Sequence, residues 1–173
     1  MFLSKGQCYE ERASNRQKVY DGGWCLFLIR RSLPKEVEVM KADPKTEAAV
    51  VAVVKQWFEA FANGDMDSVL AFVAPDPEVV IIGTGKDDKC IGSAELRTAA
   101  DRAFTETKGA SVRIGWHTVS AIGSLAWVAP DVTFRGKTSK GETYLPLRYT
   151  GVLEQRENGW LIVQSHDSLP TAG

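Results

Sequence analysis

The segment from Gly141 to Pro170 constrains the fold more than any other part of the chain. Two long strand-forming stretches meet there at Asn158-Gly159. Asn-Gly is the pair best suited to a two-residue type I′ turn, because both central positions need a positive φ. The segment therefore predicts a long antiparallel β-hairpin with a fixed register. That register places His166 opposite Gly151, on a mostly apolar face that also holds Leu145, Leu147, Tyr149, Leu153, Trp160 and Ile162.

Length, charge and cysteine content exclude several classes of protein. The 173 residues suffice for one substantial core, and the net charge of −1 gives no field that would attract nucleic acid or an anionic membrane. No stretch approaches the roughly 18 apolar residues that a membrane span needs. Cys8, Cys25 and Cys90 are odd in number and widely spaced, which argues against a disulfide framework or a zinc site. We expect a cytoplasmic protein with no membrane, nucleic-acid or metal partner.

The chain divides by character into two parts. Residues 1–39 show no persistent helical or strand period, and Gly22-Gly23 and Pro34 interrupt them. We interpret them as a poorly structured extension, followed by the domain over residues 40–173. The alternative is an amino-terminal helix that docks through the apolar hexamer Trp24–Ile29.

Helical patterns dominate the first half of the domain. From Lys45 onward, apolar residues recur every three or four positions and predict an amphipathic helix that ends near Asn63-Gly64. A second helix follows with Asp65 as its cap, and Glu78–Gly83 predicts a short buried strand. A third helix, with Ser93 as its cap, carries a narrow stripe made mostly of small apolar side chains.

Strands complete the domain. Residues 111–122 and 124–135 each predict a long strand, and a turn near 139–141 leads into the hairpin. Helices that precede an antiparallel meander indicate the α+β class, with the helices on one face of a strongly curved sheet. Such a sheet and its helices could enclose a conical pocket.

Three stretches resemble a known family: VKQWFEAFANGDMDSVLAFVAPDPEVVIIGTG, SLAWVAPDVTF and LRYTGVLEQRENGWLIVQSHDSLP. They are similar to the SnoaL-like branch of the nuclear transport factor 2-like superfamily, relatives of ketosteroid isomerase. The resemblance covers Lys45 to Pro170. It implies a cystatin-like α+β barrel with a conical pocket, a homodimer, and no metal or organic cofactor. The reaction stays open, because that superfold hosts isomerases, cyclases, dehydratases, hydrolases and non-catalytic modules.

Asp131 and His166 are the candidate catalytic residues. Asp131 lies in a strand between Trp127 and Phe134, where apolar surroundings would raise its pKa and make it a general acid or base. An ion pair with Arg135 is the simpler explanation. His166 can transfer a proton in either direction near neutral pH, although a structural histidine would give the same pattern.

Four further residues are candidates for binding a ligand. Trp127 could stack on it, and Tyr144 or Tyr149 could donate a hydrogen bond to an oxyanion. Arg148 could clamp a carboxylate or enolate oxygen, but a cross-strand ion pair with Asp167 also explains it. In the expected register Arg148 and Asp167 lie on the face opposite His166, so His166 and Arg148 cannot both face the pocket unless a β-bulge re-aims one of them.

Two function classes remain open. One is a cofactor-independent isomerase, cyclase or lyase that acts by general acid/base catalysis on a hydrophobic carbonyl compound. The other is a non-catalytic module that binds a small hydrophobic molecule or dimerises. Steroid isomerisation itself is not supported, because the tyrosine and paired aspartates of ketosteroid isomerase have no matching positions in this sequence.

Overall fold

A curved, seven-stranded sheet and three helices form the domain. The computed structural model describes residues 40–138 and 141–170, so the predictions for residues 1–39 and for the turn at 139–140 lie outside the described residues. The elements in chain order are β1 (Met40–Lys41), α1 (Pro44–Asn63), α2 (Met66–Ala71), β2 (Val80–Ile82), β3 (Lys89–Ile91), α3 (Gly92–Thr107), β4 (Ser111–Ile122), β5 (Leu125–Thr138), β6 (Gly141–Arg156) and β7 (Gly159–Ser168).

The strand order across the sheet is β1-β4-β5-β6-β7-β2-β3. The four long strands β4 to β7 form the predicted antiparallel meander. β2 pairs with β7 in parallel, which the expectation of a purely antiparallel sheet did not include. The order starts and ends on different strands, so the described sheet is an open one. The predicted α+β class is confirmed.

Local signals in the sequence explain where the helices begin and end. Asp43 caps α1, because its Oδ1 accepts hydrogen bonds from the backbone N–H groups of Lys45 at 2.9 Å and Thr46 at 3.1 Å. Gly64 ends this helix in the left-handed region, with φ of 68°. Asp65 caps α2 as predicted, by accepting from the N–H of Ser68 at 3.1 Å.

The predicted cap of α3 is wrong. The helix begins at Gly92 and Ile91 holds the N-cap position, so Ser93 already lies inside the first turn. The carboxylate of Glu95 substitutes for a cap, since its Oε2 accepts from the backbone N–H of Ile91 at 2.8 Å. Glu95 thus satisfies the backbone N–H of the N-cap residue itself, whereas the first turn of α3 receives no hydrogen bond from a capping side chain in the part of the chain that the structure describes.

The core lies between α1 and the inner face of the sheet, the face on which β5 and β6 bury their alternate residues. Aromatic rings form its centre. The Trp57 ring lies 5.8 Å and the Phe58 ring 5.3 Å from the ring of Tyr149 on β6. Phe58 also meets the ring of Phe134 on β5 at 5.7 Å. Helix α1 is thereby fixed across the middle strands.

The hairpin register differs from the prediction at two places. Arg156 pairs with Gly159, so the loop residues are Glu157 and Asn158 rather than Asn158 and Gly159. This shift by two positions keeps the faces unchanged near the turn, and Leu153, Trp160 and Ile162 are all buried as predicted.

The second difference is a β-bulge in β7. Leu153 pairs with Ile162 but Val152 pairs with Gln164, so Val163 is an extra residue in the ladder. Beyond it the register has slipped by one residue, which reverses every face. The prediction that His166 faces inward opposite Gly151 is therefore wrong. His166 pairs with Thr150 and points outward, and Asp167 takes the inward position opposite Tyr149.

Candidate active site

A cavity of about 110 Å³, partly open to solvent, lies between α1, α3, the β2–β3 loop and the inner face of the sheet. The small side chains of α3 leave this space, since Ala99, Ala100 and Ala103 stand where larger residues would fill it. The stripe of small residues that the sequence assigned to packing therefore forms one wall. The other apolar lining residues are Trp57, Phe58, Phe61, Ile81, Leu96, Phe134, Leu145 and Leu147.

Asp167 brings a carboxyl group into this apolar cavity. Its Oδ1 atom is buried and has no hydrogen-bond partner among the described residues. Burial raises the pKa of Asp167 from 3.8 to about 7, because apolar surroundings disfavour the charged form. Both protonation states are then populated near neutral pH. The group is consequently suited to act as a general acid or a general base.

Tyr149 lies directly beside Asp167 on the neighbouring strand. Its side chain lies against Gly151, where an added Cβ would come within 2.4 Å of the tyrosine hydroxyl. Only glycine leaves room for this ring, which is 1% exposed. Burial first, and then the charge of Asp167, raise the pKa of Tyr149 well above its usual value. Tyr149 faces inward as predicted, but it lies behind the cavity wall and does not line it.

Two further buried polar groups accompany this pair. Ser165 lies opposite Gly151, and its hydroxyl interacts with that of Tyr149 closely enough to offset part of the rise in the pKa of Tyr149. Neither hydroxyl makes a hydrogen bond of ordinary geometry within the described part of the chain. The indole N–H of Trp57, a residue that lines the cavity, likewise has no partner there. Buried donors without partners are costly in a folded protein and are therefore uncommon. Their concentration around one carboxyl group marks this region as a site.

The β2–β3 loop lines one side of the cavity through Gly83, Thr84 and Asp88. Asp88 Oδ2 accepts from the backbone N–H of Gly85 at 2.9 Å, which holds the carboxylate at the rim beside Thr84. Cys90 on β3 contributes a buried thiol to the wall. Burial, and then the charges of Glu95 and Asp88, raise the pKa of Cys90, so the thiol form is favoured.

Most of the residues predicted for the site lie on the other face of the sheet. Asp131 on β5 lies opposite Arg148 on β6 in the strand ladder, and both side chains are exposed. Trp127 is 38% exposed on the same outer face. The sequence placed Asp131 between Trp127 and Phe134, but these two aromatic residues lie on opposite faces of β5. Asp131 lies on the outer face with Trp127, because their positions in the strand differ by an even number.

His166 and Tyr144 also lie away from the cavity. His166 is exposed beyond the bulge. Tyr144 donates a hydrogen bond to Glu142 at 2.8 Å, and the guanidinium of Arg135 lies 5.3 Å from the centre of its ring. The structure thus gathers Asp131, His166, Trp127, Tyr144 and Arg148 on the outer face, and places Asp167 and Tyr149 inside.

Over residues 40–138 and 141–170, no three histidine, cysteine, aspartate or glutamate side chains come together as metal ligands. The helices described there are each too short or too polar to cross a membrane.

Helices on one face of a curved sheet, with a partly open apolar cavity between them, define an α+β pocket domain. A family model described as the SnoaL-like domain matches residues 50–172. The chain therefore belongs to the SnoaL-like family, as the sequence predicted. No curated protein sequence matches the chain.

Solved structures share the fold at low sequence identity. A protein of unknown function with a cystatin-like fold from Nostoc punctiforme PCC 73102 is 10% identical, with a TM-score of 0.65 over 77% of this chain and 97% of that chain. A nuclear transport factor 2-like family protein from Streptomyces avermitilis, described provisionally as a dehydratase, is 18% identical, with a TM-score of 0.64 over 74% and 98%. The CaMKII hub of S. rosetta is 21% identical, with a TM-score of 0.58 over 76% and 100%.

Proposed function

We propose that this protein is a cofactor-independent isomerase, cyclase or lyase that moves a proton on a small carbonyl compound, with Asp167 as the general base or acid. The observation that supports it most is the Asp167 carboxyl group in an apolar cavity, with a pKa of about 7. The catalytic role that the sequence assigned to Asp131 passes to Asp167, because Asp131 is exposed on the outer face of the sheet.

The proton transfer follows from the surroundings of Asp167. Its ionised carboxylate takes a proton from the carbon next to the substrate carbonyl. The electron pair of that C–H bond forms a carbon–carbon double bond, and the π pair of the carbonyl moves onto the oxygen. The resulting carboxylic acid then returns the proton to the same or another carbon. Apolar walls exclude water, which strengthens electrostatic interactions within the site. The unpartnered N–H of Trp57, a residue that lines the cavity, is the candidate donor to stabilise the negative oxygen.

Cavity size narrows the substrate class. An enclosed cavity of about 150 Å³ holds a benzene molecule in another protein. The cavity here is smaller, at about 110 Å³, and partly open, so it accommodates a five-membered ring or an equivalent short chain, with any larger part outside it. A fused polycyclic substrate does not fit.

Hydrogen–deuterium exchange on cyclopentanone tests the proposal. The protein is incubated with the ketone in D₂O, and loss of the signal from the hydrogens beside the carbonyl is followed by proton NMR. We expect exchange above the buffer rate, with a rate that rises with pH up to about 7 as the carboxylate forms.

Asp167→Asn should abolish the protein-dependent exchange. Asp131→Asn makes the same chemical change on the outer face and should leave it intact. Equal rates for Asp167→Asn and the unmodified protein would overturn the catalytic assignment.

A second candidate function, assembly through the outer face of the sheet, has its own support. Leu125 and Trp127 are 41% and 38% exposed there. Asp131 and Arg148 lie on the same face with opposite charges, so two copies related by a two-fold axis could pair them. We propose a second copy of this chain as the partner of this face.

Trp127→Lys should then give a monomer in light scattering at 50 µM, whereas Gln56→Lys on α1 should leave a dimer. A monomer before any substitution would reject the homodimer.

A further inference from the structure

We infer that the cavity has a second binding mode, for a small organic cation with an apolar body, such as a protonated cyclic amine. This inference rests on the cavity and the Asp167 carboxyl group of the proposed function, but it does not depend on catalysis. The cation would occupy the space of the neutral substrate and compete with it.

The ionisable groups that line the cavity share one sign of charge. Within the described residues they are Asp167, Asp88 and the thiol of Cys90, and no lysine, arginine or histidine is among the lining residues. An anionic ligand would therefore enter a site that holds two acidic groups and no positive charge to pair with it. Burying such an unpaired charge is strongly unfavourable. A cationic ligand would instead find a negative charge, the Asp167 carboxylate, with which it can pair.

Aromatic rings supply the rest of a cation site. Trp57, Phe58, Phe61 and Phe134 all line the cavity. The Trp57 and Phe61 rings meet edge to face, with centres 5.1 Å apart, so they present surfaces in different directions. An ammonium group is attracted to the negative face of such rings, and aromatic walls of this kind recognise organic cations in other proteins. The same rings pack against the hydrocarbon part of the ligand.

Asp167 supplies the charge that the cation would pair with. Its Oδ1 atom is buried and has no partner in the described part of the chain, so this oxygen has no group to compensate its charge when the carboxylate is ionised. Among the residues that the structure describes, the groups beside it are uncharged: Tyr149 from β6, Ser165 from β7 itself and the thiol of Cys90 from β3, and the lining residues from α1 and α3 carry no charge either. None of these can neutralise a carboxylate. A bound ammonium ion would neutralise the carboxylate and would donate a hydrogen bond to its unpartnered oxygen.

The pH dependence of binding separates the two modes. A cation binds the ionised form of Asp167, so its affinity should rise as pH increases through about 7. A neutral ligand that accepts a hydrogen bond from the protonated acid shows the opposite trend. The two ligand types should therefore exchange their order of preference across the neutral range.

The test uses three compounds that each have six heavy atoms: cyclopentylamine, cyclopentanol and cyclopropanecarboxylate. Their affinities for the full-length protein are measured by ligand-observed NMR at pH 6 and pH 8, where the amine is protonated throughout. At pH 8 we expect the ammonium ion to bind at least about 10-fold more tightly than the alcohol, the lower end of what a buried charged hydrogen bond contributes. Its affinity should fall about 10-fold at pH 6, because only about a tenth of Asp167 is then ionised. The carboxylate should bind most weakly at both values.

Two variants locate the effect. Asp167→Asn should remove both the preference for the ammonium ion and its pH dependence, whereas Asp131→Asn should change neither. The inference is wrong if the ammonium ion binds no more tightly than the alcohol at pH 8, or if its affinity survives Asp167→Asn. Such a result would leave the exchange of cyclopentanone hydrogens as a separate test, so failure of this inference is distinguishable from failure of the proposed function.

Discussion

Asp167→Asn should stabilise the protein, and the gain should increase with pH. Burial raises the pKa of this carboxyl group from 3.8 to about 7, so the folded protein disfavours the ionised form. The folded-state pKa lies above that of the unfolded chain. Below pH 4 the group therefore imposes no penalty, and stability is lost progressively as pH rises toward 7. Asparagine has no charge to bury and avoids this loss.

The magnitude follows from the size of the pKa shift. A rise from 3.8 to about 7 corresponds to roughly 4 kcal/mol, at about 1.4 kcal/mol per pKa unit. Between pH 5 and pH 8, the part of this penalty that acts on the folded protein grows by the equivalent of about two pKa units. The free energy of unfolding therefore falls by about 2 to 3 kcal/mol over this range. This difference is independent of how well asparagine packs, because the packing contribution is the same at both pH values.

Urea denaturation at pH 5 and pH 8 measures the effect. The stabilisation by Asp167→Asn should be about 2 to 3 kcal/mol greater at pH 8 than at pH 5. Asp131→Asn is the matched control on the exposed outer face, and its effect on the free energy of unfolding should differ between the two pH values by less than about 0.5 kcal/mol. An Asp167→Asn gain that is the same at both pH values would refute the reasoning, because it would show that the carboxyl group is not desolvated.

Three other substitutions test the surroundings of the site. Gly151→Ala should lower the free energy of unfolding by about 1 to 3 kcal/mol, because the new Cβ would lie 2.4 Å from the hydroxyl of Tyr149; an unchanged urea midpoint would show that the ring moves away freely. Ala103→Leu should fill the cavity and suppress the exchange of cyclopentanone hydrogens, whereas Ala94→Leu on the exposed side of α3 should not; equal exchange by both would contradict the location of the site. Asp43→Ala should cost about 1 kcal/mol in urea denaturation through the lost cap of α1, and no loss would contradict that role.

The fold could be predicted from the sequence because its signals are local. The apolar stripe after Lys45 gave α1, and Gly64 and Asp65 marked the end of one helix and the start of the next. The predicted strand over residues 111–122 matches β4. Caps, periodicity and turn residues depend on a few neighbouring positions, so they can be interpreted without knowing the tertiary structure. The parallel pairing of the three-residue β2 with β7 has no such local signal.

The site could not be predicted, because it depends on one extra residue in a ladder. Val163 is an ordinary β-branched residue, and nothing in its type marks it as the bulge. Yet the one-residue slip in register that it causes places Asp167 on the inner face of the sheet and turns His166 to the outer face. The sequence identified the correct strand, but it named His166, which faces outward, and placed Asp167 on the outer face as a partner for Arg148. A second slip in β4, between Ile114 and His117, was equally invisible.

The titration of the Asp167 carboxyl carbon tests the central claim most directly. Carbon-13 NMR on protein labelled at the aspartate carboxyl carbons would follow each signal with pH, and the spectrum of Asp167→Asn would identify the one that belongs to Asp167. A midpoint at about 7 is the result that a carboxyl group buried in an apolar cavity requires. A midpoint near 4 would show a solvated carboxylate, and neither the proton transfer nor the cation site proposed for this cavity would then stand.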